Sequence, residues 1–191
     1  MKIPSEAAKP AIIHYSAQSG NACLPDLLDA LQHALAGDLY WETQLQRVRQ
    51  QSGATIHIGV FIEPYLQFIL EGKKTLESRF SVNRTAPYRQ VRDGDILLLK
   101  RSGGPIVGIC CITHAWFHVL DPKTWSSLQS QYAQALCISD PAFWQEKQKA
   151  NYASLMQVRY VRPITPTISF IKSDRRGWLA LIQPEIPAQC L

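Results

Sequence analysis

The chain has 191 residues, 46% of them hydrophobic and 18% charged, enough apolar material for one packed domain, or a small domain with an extension. No apolar run approaches the ~20 residues of a membrane span, and the polar first ten residues lack the apolar core of a secretory signal. The five cysteines are scattered, with no Cys-x-x-Cys, so the thiols are read as reduced and the protein as cytoplasmic.

Residues 1–22 carry no clear periodicity and read as irregular. Leu27, Leu28, Leu31 and Leu35 recur at helical spacing and predict an amphipathic helix over residues 25–36. Gly37-Asp38 breaks it, and residues 39–51 read as a second, more polar helix. The turn at Ser52-Gly53 is the expected boundary between an N-terminal helical extension, 1–53, and the main domain, 54–191. A β-branched apolar run over residues 54–62 predicts a buried strand.

Pro64 to Arg79 is the most informative stretch. Proline suits a first helical turn, and Gly72 can take the left-handed conformation that ends a helix. In the strand that follows, Thr75, Glu77 and Arg79 fall on one face, and Leu76, Ser78 and Phe80 on the other. A carboxylate beside a guanidinium can hold a planar hydrogen-bonding ligand. The same residues also suit an ordinary exposed ion pair, which is worth little. Lys74 and Glu77 are an odd number of residues apart. Both can enter one cleft only if Lys74 sits on the turn before the strand, or if a bulge intervenes.

Residues 81–94 read as a loop carrying Arg84 and Tyr88. Residues 95–101 and 106–120 read as a hairpin of strands turned at Gly103-Gly104. Cys110 and Cys111 are neighbours on the second strand, so they point to opposite faces and cannot share a metal. Residues 122–136 and 141–152 read as helices, and 156–163, 167–171 and 178–182 as the last strands. Short hairpin-linked strands with helices at the margins suit an α+β fold better than alternating βαβ units.

Charge is unevenly spread. Residues 73–101 hold eight basic and three acidic side chains, an excess equal to the net +5 of the whole chain. Residues 159–176 hold five basic residues against Asp174. If both segments share one side of the fold, they form a basic face suited to phosphates; the alternative is a well-solvated surface.

The run Pro64-Tyr65, then Gly72-Lys73-Lys74-Thr75-Leu76-Glu77-Ser78-Arg79, resembles the ASCH family, whose pattern is a Pro-aromatic pair, a short helix and Gly-x-Lys-Thr-aliphatic-Glu-x-Arg. Phe80, the Gly94-Asp95 step into a strand, the long strand from residue 106, and a helical 144–155 with its tyrosine are also family-like. The likeness covers residues 56–182 and leaves out the N-terminal helices. It implies a small PUA-like β-barrel, mixed but mostly antiparallel, decorated with helices and with a cleft at the barrel mouth. It also implies binding of RNA or a modified nucleoside; no cofactor and no metal are expected. Some ASCH proteins are amidohydrolases of N-acetylated cytidine, and others are credited with ribonuclease activity. The amidohydrolase branch uses a lysine, a threonine three residues later and a distant glutamate. Here Lys74 matches the lysine, Glu77 stands at the threonine position, Thr75 lies at another offset, and Glu146 is the candidate distant acid. A carboxylate cannot be the hydroxyl nucleophile of such a mechanism.

In a base-binding cleft, Glu77 would accept from an exocyclic amine, and Lys74 and Arg79 would hold phosphate or a carbonyl. Arg84 and Lys100 would add positive charge. Tyr65 and Tyr88 are the candidate stacking rings, with Trp178 as a rim contact beside Arg175-Arg176. Phe80, Trp116, Trp125 and Trp144 are assigned mainly to packing. As a hydrolase, Lys74 deprotonated by burial and oriented by Glu77 would be the catalytic pair. His14, His33, His57, His114 and His118 read as structural or surface residues. His114 and His118 share a strand face, but they are ~13 Å apart there, too far for one ion. No Gly-x-Ser-x-Gly elbow is present. A third reading is an interaction domain whose cleft takes a protein or small molecule.

Overall fold

The computed structural model describes residues 11–16, 20–50 and 53–181. Residues 1–10, 17–19, 51–52 and 182–191 lie outside them, so the expected end of the second helix at 51, the Ser52 half of the boundary turn and the end of the last strand at 182 fall outside the described residues. Strand β1 (Ile12–Tyr15) and two helices, α1 (Leu24–Ala34) and α2 (Leu39–Arg49), come before the central strands. Asp38 caps α2, its carboxylate accepting from the Trp41 N–H. Strand β2 (Ile56–Phe61) leads into α3 (Tyr65–Leu70) and then β3 (Leu76–Ser81). Strands β4 (Ile96–Arg101) and β5 (Ile106–Val119) form the expected hairpin, with Gly103 at φ +67° in its turn. Helices α4 (Pro122–Tyr132) and α5 (Pro141–Lys147) form an insertion before β6 (Tyr152–Lys172). Asp121 and Asp140 cap them. A short β7 (Trp178–Ala180) ends the described chain.

The fold is α+β, with one seven-stranded mixed sheet in the order β1-β6-β5-β4-β2-β7, and with β3 paired to β6 beside that path. The β2–β4 and β1–β6 pairs are parallel, and the rest are antiparallel. The barrel expected from the sequence is not closed: among the described residues β3 pairs only with β6, and β7 only with β2.

Three local expectations also change. Residues 12–15, expected to be irregular, form β1, because Ile12 to Tyr15 align with Ser169 to Lys172 of β6. The two strands expected around residues 156–171 are one strand, β6, of 21 residues. Pro163 and Pro166 do not break it; the ladder with β5 absorbs them at register shifts, with Pro163 facing Gly108. Finally, α5 stops at Lys147, so residues 152–155 are strand rather than the family-like helix.

Strand alternation divides the interior. Ile96, Leu98, Ile109 and Cys111 face α1 and α2, joining Leu27, Leu31, Trp41 and Leu45 in one core. Leu97, Leu99, Cys110 and Ile112 face the other way, meeting Phe61, Ile69, Met156 and Trp178. The adjacent cysteines therefore do lie on opposite faces. A third cluster, with Leu76, Leu128, Trp144 and Leu155, seats α4 and α5 against the ends of β3, β5 and β6. The N-terminal helices thus pack behind the sheet. Arg162 pairs with Asp38 across this contact at 2.6 Å, and Tyr160 stacks on Tyr40 with ring centroids 4.2 Å apart.

Leu31 is fully buried between α1 and the sheet. Leu31→Ala is expected to cost about 2–5 kcal/mol. Because helices and sheet share that core, far-UV circular dichroism and tryptophan fluorescence should lose structure in a single shifted urea transition.

Candidate functional site

The site begins with a turn. Gly72, at φ +71°, ends α3, its N–H donating to the Ile69 carbonyl, and the Lys74 N–H donates back to the Phe68 carbonyl. This return holds Lys74 just ahead of β3, on the same side as Glu77, which is the turn solution to the odd spacing. Lys74 Nζ lies 2.9 Å from Glu77 Oε2 and also donates to the Leu76 carbonyl. Arg79 stands two residues beyond Glu77, so both share a strand face. Its Nε lies 2.9 Å from Glu77 Oε1 without its N–H being aimed at that oxygen, which makes the contact one of charge rather than an aligned hydrogen bond. One carboxylate therefore serves two cations.

Burial is graded. Lys74 and Glu77 keep only 4% and 7% of their side chains exposed, whereas Arg79 keeps 23%. Arg79 Nη2 donates to the Val60 carbonyl at 3.0 Å, so the guanidinium reaches from β3 to β2. Its Cζ sits 4.8 Å from the Phe61 ring centroid and 5.3 Å from that of Trp178, both within cation–π range.

These groups open into a pocket of about 310 Å³. Lys74, Glu77, Ser78 and Arg79 line its charged end, and Phe61, Tyr65, Phe80, Phe143, Leu136 and Ile138 supply apolar wall. Lys147 of α5 adds a further cation and lies 5.7 Å from the Phe143 ring centroid. The Tyr65 hydroxyl is held protonated beyond its usual range, chiefly by burial and also by the negative charges of Asp140 and Glu146. It meets Phe143 edge-on at 6.0 Å.

The structure thus brings Tyr65, Lys74, Glu77 and Arg79 to one pocket. It does not bring the other four sequence-predicted residues there. Trp178 is not a rim contact: it is buried, with its Nε1–H donating to His57 Nδ1 at 3.1 Å, and it lies beneath Arg79. Tyr88 is buried against Tyr152 and Phe117. Arg84 is exposed over the Tyr152 ring, 5.4 Å from its centroid. Lys100 is buried, and its ammonium donates to the Gly104 and Arg101 carbonyls.

The sequence reading missed Ser78, which it assigned to the opposite face, and Phe143 and Lys147, which arrive from the α4–α5 insertion. Phe80 does both jobs: it lines the pocket and packs on Trp125 at 5.1 Å. Glu146 is exposed on α5 and does not line the pocket. The Lys74 amine, the base of the hydrolase reading, lies 2.9 Å from the Glu77 carboxylate.

The two basic segments do not pool their charge freely. Lys73 pairs with Glu71, Arg101 with Glu63, Arg162 with Asp38, and both Lys172 and Arg176 with Asp174. Asp174 is pulled down to about 2, first by its hydrogen bonds from Arg176. Among the described residues, no three His, Cys, Asp or Glu side chains come together in a metal-holding group, and no helix is long and apolar enough to cross a membrane.

Among solved structures, the chain is similar to an ASCH protein from Zymomonas mobilis, 15% identical over 60% of this chain and 73% of that one, with a TM-score of 0.48. A single-substitution mutant of that protein gives 14% identity, 60% and 75% coverage and a TM-score of 0.46. The N-terminal domain of McrB from Staphylothermus marinus gives 11% identity, 62% and 78% coverage and a TM-score of 0.39. No family model and no curated protein matches the sequence. The family of the Zymomonas protein is the one that the Pro64–Arg79 motif resembles.

Glu77→Gln leaves the Lys74 ammonium buried without its counter-charge and is expected to cost about 3 kcal/mol. Glu71→Gln removes the partner of exposed Lys73 and should leave the urea midpoint close to that of the unaltered protein. Urea midpoints of the two variants, measured side by side, check the contrast.

Proposed function

We propose that this pocket binds a base of RNA or a single modified nucleoside. The observation that carries the reading is the joining of a shared-carboxylate charge cluster to aromatic walls in a space of about 310 Å³. The walls suit the flat faces of a base, and stacking on such rings is worth ~1–3 kcal/mol per base where the rings are accessible. The charged end suits the ring's hydrogen-bonding edge. Lys74 and Arg79 carry more N–H groups than Glu77 can engage, so the cluster favours ligands rich in acceptors, such as a ring carbonyl or an acyl oxygen. A carboxylate already facing two cations is a weaker partner for an exocyclic amine than a free one. The ring-stacking roles fall to Tyr65, Phe80 and Phe143.

An amidohydrolase or ribonuclease using the same cleft is the second reading. Its support is the placing of Ser78, a hydroxyl, in the pocket that also holds Lys74. Binding is preferred because the Glu77 carboxylate already faces Lys74 and Arg79, and the Lys74 amine is held by Glu77 and the Leu76 carbonyl. An interaction domain for a protein or small molecule is the remaining reading.

The test is titration of N-acetylcytidine and of a short single-stranded RNA into the purified protein, with deacetylation and strand cleavage followed in parallel. The expected result is saturable binding of the nucleoside without turnover. Lys74→Ala and Arg79→Ala should each weaken it at least tenfold, about 1.4 kcal/mol. RNA affinity should fall steeply as salt rises. Turnover lost in Lys74→Ala would favour the hydrolase, and absence of any nucleoside or RNA binding at low salt would favour the interaction domain.

A further inference from the structure

Behind Arg79 lies a buried polar chain that packing does not require. Asp95 Oδ1 accepts the Thr55 N–H at 2.9 Å; its Oδ2 accepts the Arg92 N–H at 2.7 Å and lies 2.9 Å from His57 Nε2. His57 Nδ1 in turn lies 3.1 Å from Trp178 Nε1. His57, Asp95 and Trp178 are 0%, 2% and 4% exposed. An indole N–H can only donate, so His57 Nδ1 must accept, and the ring's one proton sits on Nε2 and is given to Asp95. The direction of every bond in the chain is therefore fixed, from the indole through the imidazole to a carboxylate that is itself pinned by two backbone amides.

The far end of this chain is the pocket. The Trp178 indole lies under the Arg79 guanidinium, and Phe61 also contacts it. Among the described residues Arg79 has one aligned hydrogen bond, to the Val60 carbonyl, and its contact with Glu77 is not aligned. The two rings against its face therefore share in setting the tilt of its plane. A buried His–carboxylate pair among apolar residues is no better for stability than well-packed hydrophobic side chains. Its distinct property is direction.

We infer that His57, held by Asp95, is a positioning residue: it locks the Trp178 indole so that the Arg79 guanidinium presents its edge to the ligand in the pocket. The inference rests on the base-binding reading for its functional half alone. The geometric half, that His57 sets Arg79 through Trp178, stands apart from any ligand.

Nuclear magnetic resonance of 15N-labelled protein tests it. Ring couplings of His57 at neutral pH should report a proton on Nε2 alone. The Arg79 Nε–H resonance should lie away from its random-coil position, displaced by the two ring currents. His57→Leu leaves both rings in place, yet should move that resonance and weaken N-acetylcytidine binding at least fivefold, while the backbone amide spectrum elsewhere is retained. Asp95→Asn leaves His57 and both rings in place while removing the carboxylate that accepts from His57 Nε2, and should act in the same sense; it serves if His57→Leu does not fold. A His57 protonated at Nδ1, measured on the unaltered protein, overturns the inference. So does an Arg79 resonance that stays put in a folded variant, or an affinity within twofold of the unaltered protein when the resonance has moved. If the unaltered protein binds no nucleoside, the base-binding reading falls, and the tautomer and the Arg79 resonance still decide whether His57 sets Arg79.

Discussion

One carboxylate organises the pocket. Lys74 and Glu77 are almost wholly withdrawn from water, and a buried ammonium without a counter-charge is costly enough that the cluster stands or falls as a unit. Two features of the backbone make the sharing possible. The left-handed turn at Gly72 keeps Lys74 off the strand, and the two-residue period of β3 puts Arg79 on the face of Glu77. The strand alone would place Arg79 but not Lys74, which depends on the turn. The balance of three charges is one positive, which is why the pocket's inner end is rich in donors.

The rest of the molecule supports that cluster from separate directions. The sheet turns one face to α1 and α2, and that side is filled with aliphatic packing. Its other face carries Phe61 and Trp178, the aromatic bed for Arg79. The α4–α5 insertion brings Leu136, Ile138, Phe143 and Lys147 over the charged end. The sheet does not close, and at this margin a side chain, Arg79, reaches across from β3 to the Val60 carbonyl.

Much of this was legible where local chemistry decides. The glycine stop, the hairpin at Gly103 and the facing of Cys110 against Cys111 follow from backbone preference and strand period, and they read directly from the residues. The joint placing of Lys74, Glu77 and Arg79 was legible as a condition, a turn or a bulge, and the turn is what the chain uses. What could not be read depends on tertiary partners. Trp178 follows a glycine and two arginines, a context that looks exposed; its burial comes from His57, distant in sequence. Lys100 belongs to an apolar strand, and the carbonyls that accept its ammonium belong to the adjoining turn. Pro163 and Pro166 look like strand breaks, yet irregular pairing with β5 absorbs them. The concentration of basic residues was real in sequence, but much of it is matched by nearby acids such as Asp38, Glu63 and Asp174.

The division between bed and wall has a consequence for how such a protein can change. The charged end is rooted in β2, β3, β7 and the turn before β3, all tied to the sheet. The opposing wall comes from one insertion, residues 121–150, anchored by its own aromatic cluster. Exchanging side chains at 138, 143 or 147 therefore reshapes what fits without disturbing the ions beneath. Recognition can drift while the electrostatic anchor stays constant, which makes this insertion the natural handle for redesigning selectivity.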